Sequence, residues 1–184
     1  MTSLQQPEWS KIVKPEDDGC TDHLKGMSLP DLVLTSTNDE AIQLKELSDT
    51  TVLYVYPMTG RPDVSLPQNW DSIPGARGCT PQSCSFRENF SELKELGVDH
   101  LFGLSTQSTS YQKEAAERLH LPFPLLSDEA LLFAKALKLP TLEVEGMTLI
   151  KRMSMIIRDG MIERVFYPIF PPDQDATNII KALS

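Results

Sequence analysis

Metal-binding and disulfide-forming residues are scarce in this sequence. Its 184 residues include only three cysteines and three histidines. His23, His100 and His120 do not combine with each other or with the cysteines into the closely spaced ligand pairs of a zinc site. We therefore predict no bound metal, and three cysteines are too few for a disulfide framework. In a reducing compartment such a small set of thiols favours redox chemistry.

Positive charge and long apolar runs are also lacking. The chain has 17 Lys and Arg against 26 Asp and Glu, which gives a formal net charge of −9. This balance argues against affinity for phosphate backbones, so nucleic acid is not an expected partner. No apolar run is long enough to cross a bilayer, and the first residues lack the basic and apolar segments of an export signal. We expect a protein of the cytoplasm with no membrane association.

The order of the predicted elements indicates an α/β fold. Segments with strand-like composition predict strands at 32–34, 52–56, 100–105, 148–150, 153–157 and 162–167. Helical spacing or composition predicts helices at 85–96, 108–119, 128–137 and 176–183. A hairpin turn is predicted at 158–161. This order favours one domain at 26–184 with a mixed central sheet flanked by helices, after an irregular arm at 1–25.

A long connection separates the strong strand at 52–56 from the next helix. Residues 60–77 contain Pro62, Pro67 and Pro74, a pattern that is too interrupted for a regular element. Long loops inside compact domains are often functional. Trp70 lies in this loop, where its fluorescence is expected to report on the neighbouring site.

Two thiols five positions apart mark the candidate site. The segment at 77–88 reads Arg-Gly-Cys-Thr-Pro-Gln-Ser-Cys-Ser-Phe-Arg-Glu and contains Cys79 and Cys84. Thr80 suits the N-cap of a helix and Pro81 its first position, which places Cys79 against free backbone N–H donors. These donors and the two arginines of the segment favour a thiolate. We therefore expect Cys79 to be a nucleophile.

Several motifs occur in an order that is specific to one protein family. They are Tyr56-Pro57, Gly78-Cys79-Thr80, Cys84, Phe86-Arg87, the Phe-Pro-Leu-Leu-Ser-Asp segment at 123–128, and the arginine-bearing strand and hairpin at 152–160. In this order and spacing they resemble the peroxiredoxins, most specifically the bacterioferritin comigratory protein or peroxiredoxin Q subgroup. The resemblance spans 29–183 and implies a thioredoxin-like fold.

The resemblance also implies a role for individual residues. Cys79 matches the peroxidatic cysteine, Cys84 the resolving cysteine, and Arg152 the arginine that holds the thiolate and the peroxide. The implied reaction reduces hydrogen peroxide or an organic hydroperoxide through a Cys79 sulfenic acid and then an intramolecular disulfide with Cys84. The implied partner is thioredoxin or a similar thiol reductant, and no cofactor is required. We expect a monomer or a homodimer.

One part of the family pattern is displaced in this sequence. Peroxiredoxins usually have a proline, a Thr or Ser four residues later, and the peroxidatic cysteine three residues after that. Ala76 occupies the hydroxyl position here. Residues 57–60, Pro-Met-Thr-Gly, resemble the start of that motif, with the long loop inserted before the cysteine. We therefore predict that Pro57 belongs to the site and that Thr59 folds back to supply the hydroxyl group.

The spacing of the two thiols has a geometric consequence. On a regular helix, residues five positions apart have Cα atoms roughly 8 to 9 Å from each other. A disulfide without backbone movement needs a Cα separation below about 7 Å. We therefore expect the start of the helix to unwind when Cys79 bonds to Cys84.

Other interpretations remain open from the sequence. Cys84 also suits a small core residue, and Arg152 a solvated strand position. The chain could be a redox-responsive binding protein that is switched by a disulfide between the two thiols. A protein disulfide oxidoreductase fits less well, because such motifs have two residues between the cysteines and here there are four. Gly19-Cys20-Thr21 repeats the tripeptide without a second cysteine, so we expect Cys20 to be idle.

Overall fold

A computed structural model describes residues 7–184 of the chain. The first six residues of the predicted N-terminal arm lie outside this range. Residues 7–25 contain a short 3-10 turn at Trp9–Lys11 and otherwise turns and irregular backbone.

Within residues 7–184, nine strands form two sheets. The strands are β1 (Leu34–Ser36), β2 (Ala41–Ile42), β3 (Thr50–Val55), β4 (His100–Ser105), β5 (Leu125–Ser127), β6 (Thr141–Val144), β7 (Met147–Ile150), β8 (Met153–Arg158) and β9 (Met161–Phe166). The larger sheet has the order β2, β1, β5, β4, β3, β8, β9. Strand β4 is parallel to both β3 and β5, and the other pairs of this sheet are antiparallel. The predicted mixed sheet is thereby confirmed.

Five α-helices accompany the sheets in the described part of the chain. They are α1 (Cys79–Glu88), α2 (Phe90–Glu95), α3 (Thr109–Arg118), α4 (Leu132–Leu137) and α5 (Asp175–Leu183). Within residues 7–184, no helix combines the length and the apolar character that spanning a bilayer requires.

The central strand β3 divides the core into two layers. All six of its residues are buried, and β4 and β8 flank it. Leu53 and Val55 join one apolar cluster, whereas Val52 and Tyr54 join the other. Because successive side chains of a strand point to opposite faces, this alternation shows that the sheet is covered on both sides. The second cluster also contains Cys79, so the candidate site lies on that side of the sheet.

The predicted helix at 85–96 is two helices. Helix α1 begins earlier, at Cys79, and ends before Asn89, where α2 follows. Asn89 has φ −102° and ψ 9°, outside the helical region, and its side-chain amide donates to the Ser85 carbonyl at 2.8 Å. A short polar side chain that bonds to the local backbone competes with the helix, which explains the break.

Other elements also differ from the predictions. The first strand lies at Leu34–Ser36 and not at 32–34, and the short strands β2, β5 and β6 were not predicted. The predicted helix at 128–137 begins only at Leu132. The Asp128 carboxylate accepts hydrogen bonds from the backbone N–H groups of Phe133 and Ala134, both at 2.9 Å. Asp128 therefore satisfies the donors of the first helical turn from a position outside the helix.

The long loop at 60–77 is packed and contains a 3-10 turn at Trp70–Ser72. Trp70 is only 4% exposed and joins an apolar cluster with Val144 and Leu149 of the β6–β7 hairpin. The loop also contacts the turn of this hairpin, where the Gln68 N–H donates to the Glu145 carboxylate at 3.0 Å. The small sheet thus holds the loop that leads into α1.

Candidate active site

Cys79 is the first residue of α1 and is 3% exposed. The residue before it, Gly78, is the N-cap and has φ +117°, in the left-handed region that favours glycine. A Cβ atom at Gly78 would lie 2.5 Å from Cγ of Pro172 and 3.0 Å from a ring carbon of Trp9. The prediction that Thr80 is the N-cap is therefore wrong. Because Gly78 is the N-cap, the helix begins at Cys79, and Thr80 and Pro81 lie within its first turn.

Arg152 lies between β7 and β8 and is 3% exposed. Its Nη2 atom is 3.3 Å from the Sγ atom of Cys79, to which it is oriented as a donor. The two residues are 73 positions apart in the sequence. The structure therefore brings together two of the predicted site residues. The contact places a cationic hydrogen-bond donor against the sulfur, where it can stabilise negative charge during a reaction.

Backbone carbonyl groups hold the Arg152 guanidinium in place. The same Nη2 atom lies 3.0 Å from the Ala76 oxygen, 3.2 Å from the Arg77 oxygen and 3.3 Å from the Gly75 oxygen. The Sγ atom of Cys79 lies 3.7 Å from the same Ala76 oxygen. The end of the long loop thus forms a cradle of carbonyl oxygens beside the thiol.

Three residues that the sequence analysis did not single out extend this contact into the core. Arg152 donates from Nη1 to Oε1 of Gln82, and Gln82 donates from Nε2 to Oδ2 of Asp175 at 2.8 Å. Ser154 donates its hydroxyl proton to the same Asp175 oxygen at 2.5 Å. Gln82, Ser154 and Asp175 are all fully buried. We call the series Cys79, Arg152, Gln82, Asp175 the polar chain.

Sequence carries a signal for only one of these residues. Gln82 follows Cys79 by three positions, so a helix presents both side chains on one face. Asp175 lies far along the sequence, at the start of α5, and nothing in its local pattern distinguishes it from other acidic helix starts. Burial raises the pKa of the Asp175 carboxyl from 3.8 to about 6, although Ser154, Gln82 and Arg152 act in the opposite direction.

Aromatic side chains form the apolar wall around the thiol. Tyr56 is buried in the same cluster as Cys79, and burial raises the pKa of its phenol well above the ordinary value. Tyr54 donates its hydroxyl proton to Ser83 of α1 at 3.0 Å and stacks on Phe86, with the ring centres 4.4 Å apart. These contacts fasten α1 to β3. They also lower the local dielectric, which strengthens the electrostatic interaction between Arg152 and negative charge that develops on the sulfur.

The Thr59 hydroxyl is engaged elsewhere. Thr59 is 1% exposed, and its N–H and hydroxyl groups both donate to Oε1 of Gln107, at 3.0 and 3.2 Å. Gln107 returns a bond to the Thr59 carbonyl at 3.0 Å. Within residues 7–184, the hydrogen bonds of Cys79 Sγ reach Ala76 and Arg152 only. Pro57 is buried, two residues after the end of β3.

Cys84 lies in the same helix as Cys79, and both thiols are free. Its side chain is half-buried, and burial raises the pKa of the Cys84 thiol above its ordinary value, against the opposing effect of Arg87. Helix α1 is continuous from Cys79 to Glu88, so the two Cα atoms keep the roughly 8 to 9 Å separation of a regular helix. Direct bonding of the two sulfurs requires this helix to open.

Cys20, the third cysteine, lies apart from this arrangement. It is exposed and free, in a turn that follows Asp17 and Asp18. A hydrogen bond with the Asp18 carboxylate is the main cause that raises the pKa of the Cys20 thiol. That Cys20 is idle stays a prediction, and its surroundings favour the protonated thiol, which is the unreactive form.

Comparison with known proteins connects this geometry to a family. The family model described as Redoxin matches residues 24–183. Peroxiredoxin Q of the rice Oryza sativa subsp. japonica is 27% identical over 161 residues, which cover 86% of this chain and 66% of the rice protein. The Arabidopsis thaliana protein of the same description is 26% identical over 160 residues, with the same coverage. The chain therefore spans about two thirds of the length of these curated relatives. Both relatives are described as chloroplastic.

Solved structures give the same result. The peroxidoxin BcpB of Mycobacterium tuberculosis is 26% identical, with a TM-score of 0.70 over 88% of this chain and 97% of its own. A cysteine-to-serine mutant of PrxQ from Xylella fastidiosa has a TM-score of 0.70 at 18% identity and covers 88% of this chain and 96% of its own. The predicted thioredoxin-like peroxiredoxin fold is confirmed. The proteins that the chain resembles include peroxiredoxins of the peroxiredoxin Q type, and the chain itself belongs to the Redoxin family.

Proposed function

We propose that this protein is a thiol peroxidase in which Cys79 attacks a peroxide. The observation that carries the proposal is the 3.3 Å contact between Arg152 Nη2 and Cys79 Sγ, with three loop carbonyl groups holding the arginine. The thiolate attacks one peroxide oxygen, the O–O bond breaks, and the bonding pair leaves with the other oxygen. That oxygen takes up a proton to become water or an alcohol, and Cys79 becomes a sulfenic acid.

Arg152 is the catalytic residue that stabilises charge in this step. Negative charge moves from sulfur to the departing oxygen as the O–O bond breaks. A fixed guanidinium beside the sulfur stabilises both the initial and the departing anion without having to reorganise. The carbonyl cradle around Nη2 keeps the guanidinium in this place in the absence of substrate.

Cys84 is proposed as the resolving cysteine. Its thiol attacks the sulfenic sulfur of Cys79, an S–S bond forms, and water leaves. Because both residues belong to α1, this step opens the first turns of the helix. The half-exposed position of Cys84 leaves its thiol accessible once the helix opens.

A thiol reductant must then regenerate both thiols. We propose thioredoxin or a similar dithiol protein, and hydrogen peroxide or an organic hydroperoxide as substrate. A structural neighbour from Xanthomonas campestris is described in terms of alkyl peroxide reduction, which supports inclusion of organic hydroperoxides. The proposed location is the cytoplasm, where the three thiols stay reduced. The proposed assembly state is a monomer or a homodimer.

The test is peroxide turnover with thioredoxin, thioredoxin reductase and NADPH. Wild type should turn over many equivalents of peroxide. Cys84→Ser should consume one equivalent and stop at a sulfenic acid, which a sulfenic-acid probe and mass spectrometry detect on Cys79. Cys79→Ser should consume none. A wild-type reaction with peroxide no faster than that of free cysteine would overturn the peroxidase and leave the redox-responsive binding protein.

Thr59 and Pro57 remain proposed site residues. Thr59 could reach the peroxide only by exchanging its bond to Gln107 for one to substrate. Thr59→Val removes the hydroxyl group and keeps the side-chain volume. A lower rate constant for the peroxide reaction, with an unchanged melting temperature, is the expected result. An unchanged rate constant would remove Thr59 from the site.

A further inference from the structure

We propose that Asp175 is a positioning residue, which acts through Gln82 to fix the Arg152 guanidinium on Cys79. The proposal rests on the peroxidase function and adds to it a residue that does not touch the reacting atoms. Asp175 is the first residue of α5, fully buried, and linked to Arg152 by one intervening side chain.

The Gln82 side chain is the link because its amide has two unlike ends. Its oxygen accepts from Arg152, and its nitrogen donates to Asp175. If the amide turned over, its NH₂ group would face the Arg152 guanidinium, which has donors only. An acceptor at the position of Asp175 Oδ2 selects the productive orientation, since an ionised carboxylate offers nothing but acceptors.

Because the polar chain is buried, the preference of the Gln82 amide for this orientation is strong. Gln82 and Asp175 are 0% exposed and Arg152 is 3% exposed, so water cannot replace a lost partner. The Nε atom of Arg152 and the Oδ1 atom of Asp175 already lack a hydrogen-bond partner within residues 7–184. The remaining bonds of the polar chain therefore decide where the guanidinium points.

The charges around Asp175 agree with this role. Arg152 is the charged group that acts on the carboxyl, and its attraction opposes the effect of burial. Asp175 also contributes to the raised pKa of the Tyr54 phenol on β3, of which burial is the largest cause, so that phenol stays protonated. Arg152 is thus shared between two anions, the Cys79 thiolate and the Asp175 carboxylate. The indirect contact through Gln82 keeps the carboxylate from displacing the thiolate.

The first test removes the acceptor at position 175. Asp175→Ala should lower the second-order rate constant for peroxide about 10- to 100-fold, because a hydrogen bond to a charged group is lost. Asp175→Asn, which keeps an acceptor oxygen, should stay within about threefold of wild type. Glu129→Ala is the control, because Glu129 is an exposed carboxylate that lies outside the polar chain. It should leave the rate constant unchanged.

The second test restores the rate without Asp175. In the double variant Asp175→Ala with Gln82→Glu, the new carboxylate presents acceptors to Arg152 in either orientation. This variant should recover most of the lost rate. A structural role for Asp175 would predict no recovery. If Asp175→Ala does not fold, Asp175→Ser replaces it, because the serine hydroxyl is too short to reach Gln82. The rate constant is then compared with and without Gln82→Glu in the same way.

An independent readout is the pH dependence of Cys79 alkylation by iodoacetamide, measured in proteins that lack Cys20 and Cys84. Loss of the Asp175 acceptor should move the alkylation profile to higher pH, and Gln82→Glu should move it back. If wild type reacts rapidly with peroxide and Asp175→Ala has the same rate constant and the same alkylation profile, the positioning role is overturned. The proposed peroxidase function would still stand. A slow wild type would instead overturn the proposed peroxidase.

Discussion

The sequence contains the tripeptide Gly-Cys-Thr twice, and its two copies lie in opposite surroundings. Cys79 is buried at a helix start, and a guanidinium donates to its sulfur. Cys20 is exposed in a turn, and its neighbour is the Asp18 carboxylate. An opposite charge favours the thiolate, whereas a like charge disfavours it. The two cysteines therefore differ in the charged group that lies beside each sulfur, although the tripeptide around them is the same.

The glycines of the two copies differ in the same way. Gly78 and Gly19 both have positive φ angles, of +117° and +75°. Around Gly78, an added Cβ atom would come within 2.5 Å of Pro172, and Trp9 lies on the same side. Around Gly19, the closest atom would be the Asp22 carboxylate at 3.3 Å, at the tip of an exposed side chain. Only the first glycine is enclosed by rigid neighbours.

The largest expected effect comes from removal of the charge beside Cys79. Arg152→Met keeps the length of the side chain and should lower the rate constant for peroxide by about 100-fold or more. Arg152→Lys should recover only part of this loss, because an ammonium cannot bond Gln82 and the carbonyl cradle together. Arg158→Met is the control, since Arg158 is an exposed strand residue that pairs with Glu163. Stopped-flow kinetics on the three variants measures the difference, and equal rates for Arg152→Met and wild type would remove Arg152 from the mechanism.

The second comparison replaces the glycine of each copy. Gly78→Ala should lower the free energy of unfolding by about 3 kcal/mol, from the strained φ angle and the overlap with Pro172. Gly19→Ala should cost about 1 kcal/mol, mainly from its φ angle. Urea unfolding of both variants gives the two values. A Gly78→Ala variant as stable as Gly19→Ala would show that the helix start is less tightly held than its contacts indicate.

Two carboxylates, one near each cysteine, should respond to pH with opposite sign. The pKa of Asp175 is raised to about 6, so the folded protein binds this proton more tightly than the unfolded chain. Its contribution to stability is fully present below pH 3.8 and is lost as the pH rises to about 6. The bond from Tyr167 lowers the pKa of Asp18, so its contribution is lost as the pH falls.

The measurement for these carboxylates is the unfolding free energy of wild type minus that of Asp175→Asn, followed with pH. This difference should fall by at most about 3 kcal/mol between pH 3.8 and about 6. The corresponding difference for Asp18→Asn should rise with pH, by a smaller amount because Asp18 is near the surface. A flat curve for Asp175→Asn would show that the carboxyl titrates normally.

The smallest expected effect is that of Cys20→Ser. This variant should keep the peroxide turnover of wild type, because the Cys20 thiol lies in a turn outside the polar chain and its pKa is raised. Turnover in the coupled thioredoxin assay measures it. A loss of more than about twofold would assign Cys20 a part in the cycle.

The sequence predicted the parts of the site that rest on local pattern. The strand at His100–Ser105 and the hairpin between β8 and β9 were predicted within a residue, because their composition is distinctive. Cys79 and Arg152 were predicted from the family motifs and meet in the structure. Gln82 could have been found from its helical spacing to Cys79.

The remaining features depend on contacts that no local pattern carries. The start of α1 at Cys79 is set by the packing of Gly78 against Pro172 and Trp9 from other parts of the chain. Asp175 joins the polar chain only because α5 packs beside α1. The bond of Thr59 to Gln107 likewise depends on how the loop and the end of β4 come together. Such positions follow from tertiary structure rather than from sequence spacing.

The most direct measurement compares the two cysteines within the same protein. One variant keeps only Cys79, through Cys20→Ser and Cys84→Ser, and the other keeps only Cys20, through Cys79→Ser and Cys84→Ser. Stopped-flow mixing with hydrogen peroxide gives a second-order rate constant for each thiol. The Cys79 protein should react at least about 100-fold faster, because only its sulfur has a fixed cationic donor. Equal rate constants would contradict the claim that the fold, and not the tripeptide, activates the thiol.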